Sequence, residues 1–143
     1  MVGVEIDFVV KDSLKALELY ESIFEVERIE VTSFPVGQNE AIFSIYGTRF
    51  HILDENPEFG LFAPTPDTTQ TMWLNVLVED IAKTHDAAIK AGCTVIQDLT
   101  KMEDFCVSNS VFKDPFGYMW MLHEIHTVVS FEDRVAMWEN SDI

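Results

Sequence analysis

The side chains of this chain that could do chemistry come in groups spaced two residues apart. Glu5 and Asp7 lie near the start, Arg49 and His51 follow, then Trp73 and Asn75, and finally Met119, Met121 and His123. In an extended segment, residues two apart point to the same face, so each group presents its side chains together. His51 suits general-base chemistry near neutral pH if Glu5 orients its ring, although any strand-borne histidine beside an acid meets that description. Arg49 fits two roles equally well, clamping a carboxylate on a ligand or neutralising Glu5 or Asp7. Trp73, Met119 and Met121, with Phe43 or Phe105, would line an apolar cavity punctuated by Glu5, Arg49, His51 and Asn75. Such a lining fits a small organic ligand with an aromatic or carboxylate part.

Other catalytic chemistry lacks its residues. There is no strand-turn-helix serine elbow, no cysteine with a base nearby in sequence, and no glycine-rich phosphate loop, so covalent catalysis and nucleotide use are disfavoured. His85 and His126 read as surface residues. Residues 102–105, Met-Glu-Asp-Phe, read as the rim of a site.

The elements that must carry these residues follow from periodicity. Val2 to Val10 alternates as a strand, and Leu14, Leu17, Tyr20 and Ile23 recur at helical spacing behind an Asp12 or Ser13 cap. Strands are expected at residues 28–34, 41–46 and 48–53, and residues 54–71 form a loop rich in Pro, Thr and Asp. The order then repeats, with a strand at 72–78, a helix at 81–91 stopped by Gly92, and strands at 93–99, 106–112 and 118–125. An offset of 68 residues separates Asp12 from Asp80, and one of 70 separates Gly47 from Gly117. Matched order and offset indicate a tandem βαβββ repeat. Ser130-Phe131-Glu132-Asp133 starts a last helix, whose Phe131, Val135 and Trp138 form a stripe suited to packing on its own domain or across a dimer.

Composition narrows the partners. Hydrophobic residues make up 48% of the 143 and charged ones 24%, which suits a globular protein. The net charge of −16 repels phosphate backbones and anionic membrane surfaces, so nucleic acid and membrane are poor partners. No signal-peptide pattern opens the chain, and Cys93 and Cys106 read as unpaired thiols, so the expected location is the cytoplasm.

The repeated βαβββ unit, with Val-x-Asp closing the first strand of each half and Asp114-Pro115-Phe116-Gly117 entering the last strand, resembles the vicinal oxygen chelate superfamily. That superfamily includes glyoxalase I, extradiol dioxygenases, fosfomycin-resistance enzymes and bleomycin-resistance proteins. Lys113 to Trp120, the Gly47 to Pro57 stretch and Val129 to Arg134 look closest to its PhnB-like members. The resemblance implies an α+β fold: two tandem βαβββ modules forming a curved mixed sheet around a cavity, plus a C-terminal helix. The expected boundaries are a first module at 1–56, a linker at 57–71, a second module at 72–126, and a helix and tail at 127–143.

Metal-bearing members take four ligands from the first and last strands of each half. Carried across by the anchors, those positions are Glu5 and His51 in the first half and Trp73 and Met121 in the second. Glu5 and His51 are competent ligands and catalytic candidates, whereas Trp73 and Met121 are not ligands for a hard cation. The first expectation is therefore a protein that binds a small organic molecule without the usual metal and is not necessarily an enzyme. Its ligand contacts would be Asp7, Arg49, Trp73, Asn75, Met119, Met121 and His123. The alternative is a lyase, isomerase or dioxygenase with a divalent metal at a displaced site of Glu5, Asp7, His51 and His123. A homodimer is expected in either case, because each module leaves a sheet edge that profits from pairing.

Overall fold

Asp12 ends the first strand by turning its side chain on the helix that follows. In the computed structural model, which describes residues 1–141, its carboxylate accepts from Lys15 N at 3.2 Å and caps α1 (Ser13–Ile23). Asp80 does the same for α2 (Ile81–Lys90), accepting from Lys83 N at 3.2 Å. Gly92 follows α2 with φ +98°, as the stop expected there. The last two residues of the expected tail lie outside the described ones.

The chain divides into two compact units, one of residues 1–71 with 114–118, the other of 72–113 with the chain from Met119 on. The first unit contains β1 (Ile6–Val10), α1, β2 (Val26–Val31), β3 (Glu40–Ile45) and β4 (Thr48–Asp54). Its sheet runs β1-β4-β3-β2, with β1 parallel to β4 and the other pairs antiparallel. The second unit repeats this with β5 (Leu74–Leu77), α2, β6 (Thr94–Met102), β7 (Val107–Lys113) and β8 (Met119–Ile125), in the order β5-β8-β7-β6. These are two βαβββ modules of an α+β fold, each with its own four-stranded mixed sheet, followed by α3 (Phe131–Glu139).

The repeat extends to side chains. Asp54, at the end of β4, accepts from Ser13 N at 2.7 Å at the start of α1, and Glu124, near the end of β8, accepts from Ile81 N at 3.1 Å at the start of α2. Both acids bind amides that their helix leaves unpaired. In the first unit Ala16, Leu17, Tyr20 and Ile23 bury one stripe of α1 with Phe43, Phe50, Ile52 and Val10. Phe43 stacks on Phe50 and Tyr20 at 5.7 and 6.1 Å between ring centres, so it is core and lines no ligand site.

Two further expectations are corrected. The first strand starts at Ile6 rather than Val2: Val4 is 89% exposed, and only from Ile6 does the chain find a partner in β4. His85 is buried rather than superficial, its ring held by Ser110 Oγ at 3.1 Å and Asp98 at 3.2 Å. The terminal helix α3 is capped by Ser130 Oγ as its sequence suggests; it buries none of its residues, and Phe131 and Trp138 are more than half exposed, so the stripe is not packed among the described residues.

Residues 114–118 group with the first unit for reasons visible in their bonds. Asp114 accepts from Phe116 N and Tyr118 N at 2.8 and 3.1 Å, which closes the turn, and from the buried Tyr20 hydroxyl at 2.7 Å. Tyr118 donates its hydroxyl to Val9 O at 2.6 Å and packs on Phe8, so the turn is tied to β1 and α1. No helix among the described residues is long and apolar enough to cross a membrane.

Candidate functional site

The register of the first sheet decides which polar residues meet. Parallel pairing sets Asp7 of β1 beside His51 of β4, and antiparallel pairing sets Ile42 of β3 on the other side of His51. Since side chains alternate, Asp7, Ile42, Arg49 and His51 occupy the face opposite α1. Glu5, one residue before β1, continues that face, and Glu40 reaches it from the first residue of β3.

His51 is the centre of the group. Its Nδ1 lies 3.1 Å from Glu5 Oε1 and 3.5 Å from Asp7 Oδ2, and its Nε2 lies 3.4 Å from Glu40 Oε2. Arg49 donates from Nε to the other oxygen of Glu5. The His51 side chain is only 16% exposed, whereas those of Asp7 and Glu40 are about half exposed, so the ring is shielded while one side of the site stays open to solvent.

Charge is distributed unevenly across the two neighbouring acids. The Arg49 hydrogen bond, reinforced by its charge, holds Glu5 below the usual carboxylate range against the opposing effect of burial. Partial burial, with Glu5 alongside, pushes Asp7 above it. Glu5 is therefore the anion of the pair, and Asp7 holds its proton more readily.

One donor atom from each of Glu5, Asp7 and His51 lies within 4.8 Å of the others. Two carboxylates and an imidazole suit manganese, iron or zinc and leave coordination positions for a ligand. Glu5, Asp7 and Glu40 carry three negative charges when ionised, and Arg49 returns one, so the surplus matches one divalent cation. The residues present fit a metal, on three donors confined to the first unit.

The remaining sequence candidates lie in the second unit. Asn75 neighbours Met121 in the parallel β5–β8 register, and Leu77 neighbours His123, so Asn75, Met119, Met121 and His123 share the sheet face opposite α2. Trp73 precedes β5 and is 58% exposed. The Nδ1 atom of His123 is shielded from solvent and has no hydrogen-bond partner among the described residues. Opposite His123, Asn109 on β7 is engaged by Gln97 Nε2 at 2.7 Å and donates to Met102 Sδ at 3.3 Å. This face is apolar with a few polar groups, and Trp73 and Met121 give it no donor for a hard cation.

Glu40 is the site residue that sequence reasoning missed. The alternating run was expected to begin at Ala41, one residue too late, and only strand pairing brings position 40 to His51. Its spacing from Ile42 would have placed it on the right face, but not beside any particular neighbour.

Comparison with known proteins supports the fold. The family model described as the Glyoxalase/Bleomycin resistance protein/Dioxygenase superfamily matches residues 4–122. The fosfomycin resistance protein FosX of Listeria monocytogenes, as a mutant complexed with Mn(II) and 1S,2S-dihydroxypropylphosphonic acid, is 16% identical with a TM-score of 0.68, covering 96% of this chain and 98% of its own. FosX of Mesorhizobium loti is 14% identical with a TM-score of 0.66, covering 94% and 98%. A glyoxalase/bleomycin resistance protein/dioxygenase family enzyme of Burkholderia phytofirmans PsJN is 15% identical with a TM-score of 0.66, covering 85% and 96%. At such identities the likeness is one of fold. No curated protein matches the chain.

Proposed function

Because the chain belongs to the Glyoxalase/Bleomycin resistance protein/Dioxygenase superfamily, we propose that it binds a small organic molecule at a divalent metal held by Glu5, Asp7 and His51. The observation that carries this reading is the convergence of those three donors within 4.8 Å. It favours the displaced metal site over the metal-free alternative. The Mn(II) and phosphonate carried by FosX add support from a protein of the same fold.

When bound, the metal would act as a Lewis acid on a ligand oxygen. The chain's own residues supply the rest. Arg49 keeps Glu5 ionised and fixes one of its oxygens, while the other faces His51 Nδ1 on the side where a metal would sit. Asp7 completes the donor set as a carboxylate, so metal binding would take from it the proton that burial and the neighbouring Glu5 favour. Trp73, Asn75, Met119, Met121 and His123, all of the second unit, are proposed as organic-ligand contacts on that unit's own sheet face, with the unpartnered Nδ1 of His123 taking a polar group. Turnover on such a site would be of the lyase, isomerase or dioxygenase kind.

A metal-free binding protein is the second reading, and the Glu5–Arg49 pair favours it, because Arg49 already supplies a cation. Elemental analysis of protein purified without a metal-affinity tag separates the two. A stoichiometric divalent metal, lost in Glu5→Ala and His51→Ala, is expected. A folded wild type that takes up neither Mn2+ nor Zn2+ leaves the metal-free reading standing. The proposal extends to a cytoplasmic homodimer with PhnB-like kin. The Lys113 to Trp120 motif supports the kinship, and the open stripe on α3 supports the pairing, which sedimentation of the full chain and of Trp138→Ala would check.

A further inference from the structure

Resting on that metal reading, we infer that Glu40 is a positioning residue that holds His51 in the tautomer with its proton on Nε2, so that the ring binds metal through Nδ1. A neutral imidazole carries one proton, and the nitrogen that binds a metal must be free of it. Nδ1 is the nitrogen that faces the other donors, 3.1 Å from Glu5 and 3.5 Å from Asp7. The proton therefore belongs on Nε2, whose neighbouring acceptor is Glu40 Oε2 at 3.4 Å. A carboxylate only accepts, so in the metal-free protein the closer Glu5 favours the Nδ1–H form. Once a cation occupies Nδ1, it is Glu40 that holds the proton on Nε2 and makes Nδ1 a better ligand.

The sheet holds Glu40 for this task. Register places it diagonally from His51 across the β3–β4 pair, within reach of a long side chain. Thr32 fixes its backbone: Glu40 N donates to Thr32 Oγ1 at 2.9 Å, and Glu40 O accepts from Thr32 N at 3.1 Å. Thr32 Oγ1 also donates to the buried Asn39 at 2.9 Å. These contacts leave the Glu40 side chain to swing only about its own torsions, and a shorter acid would not span the diagonal.

The test uses the full chain labelled with 15N-histidine and loaded with Zn2+. Long-range 1H–15N correlation is expected to show His51 Nδ1 metal-bound and Nε2 protonated. Glu40→Ala should weaken Zn2+ and Mn2+ binding about 10- to 100-fold, with Glu40→Gln, which keeps shape and an acceptor but not charge, in between. Thermal unfolding of the metal-free variants should match wild type, since the Glu40 side chain is half exposed. Zinc bound through Nε2, or undiminished affinity in Glu40→Ala, overturns this inference and leaves the metal reading intact. A wild type that binds neither cation brings down both.

Discussion

Arg49 donates its Nε–H to Oε2 of Glu5, and so, of the two roles its sequence setting offered, clamping a ligand carboxylate or neutralising Glu5 or Asp7, the fold displays the second. The pair lies about 30% exposed, and its effect is best read in ionisation rather than stability. Removing the guanidinium in Arg49→Gln should raise the Glu5 pKa toward its ordinary value. Because the folded value is depressed, the pair's contribution to stability is present above the unfolded carboxylate range and fades as pH falls through the folded value. A carboxyl-carbon NMR titration of both proteins checks this, and an unmoved Glu5 would show that Arg49 does not set its charge.

Asp54 makes the larger structural contribution. Burial alone would raise its pKa, but hydrogen bonds from the Ser13 hydroxyl and amide and from Asn39 N and Gly37 N prevail and lower it. Asp54→Ala should destabilise by about 3 kcal/mol at pH 7, because it strands several buried donors. The difference from wild type should shrink as pH falls below about 4, where the unfolded carboxyl takes up its proton before the folded one does. Urea unfolding at pH 7 and pH 3 measures both.

The two turn glycines equivalent in the repeat should respond differently to alanine. Gly47 has φ +84°, and a Cβ there would meet nothing within 4 Å, so Gly47→Ala meets backbone strain alone, about 1 kcal/mol. Gly117 has φ +97°, and a Cβ there would sit 2.8 Å from Pro64 Cβ, so Gly117→Ala adds a steric clash and should cost about 2–3 kcal/mol. Thermal denaturation of the pair tests the order, and equal losses would mean that Pro64 gives way freely.

Metal removal should register in stability as well as in composition. A cation present at a hundred times its dissociation constant stabilises by about 2.7 kcal/mol. EDTA should accordingly lower the midpoint of wild type by about 5–10 °C for a chain of this size, and leave His51→Ala unmoved. No shift in metal-loaded wild type would contradict binding to the native fold.

Local order was legible in the sequence. Alternation marked the strands, Asp12 and Ser130 announced two helix starts, and offsets of 68 and 70 residues disclosed the repeat that Asp54–Ser13 and Glu124–Ile81 then confirm at side-chain level. Each of these signals acts over a few residues, or by comparison of the chain with itself. Pairing is another matter, because a strand's period of two states which side chains share a face without stating which strand lies alongside. The parallel β1–β4 register put Asp7 beside His51, the antiparallel β3–β4 register brought in Glu40, and packing against α1 claimed Phe43 for the core. Glu5 and His51 stand 46 residues apart, and only the tertiary fold, by trading chain entropy for a buried sheet face, makes them neighbours.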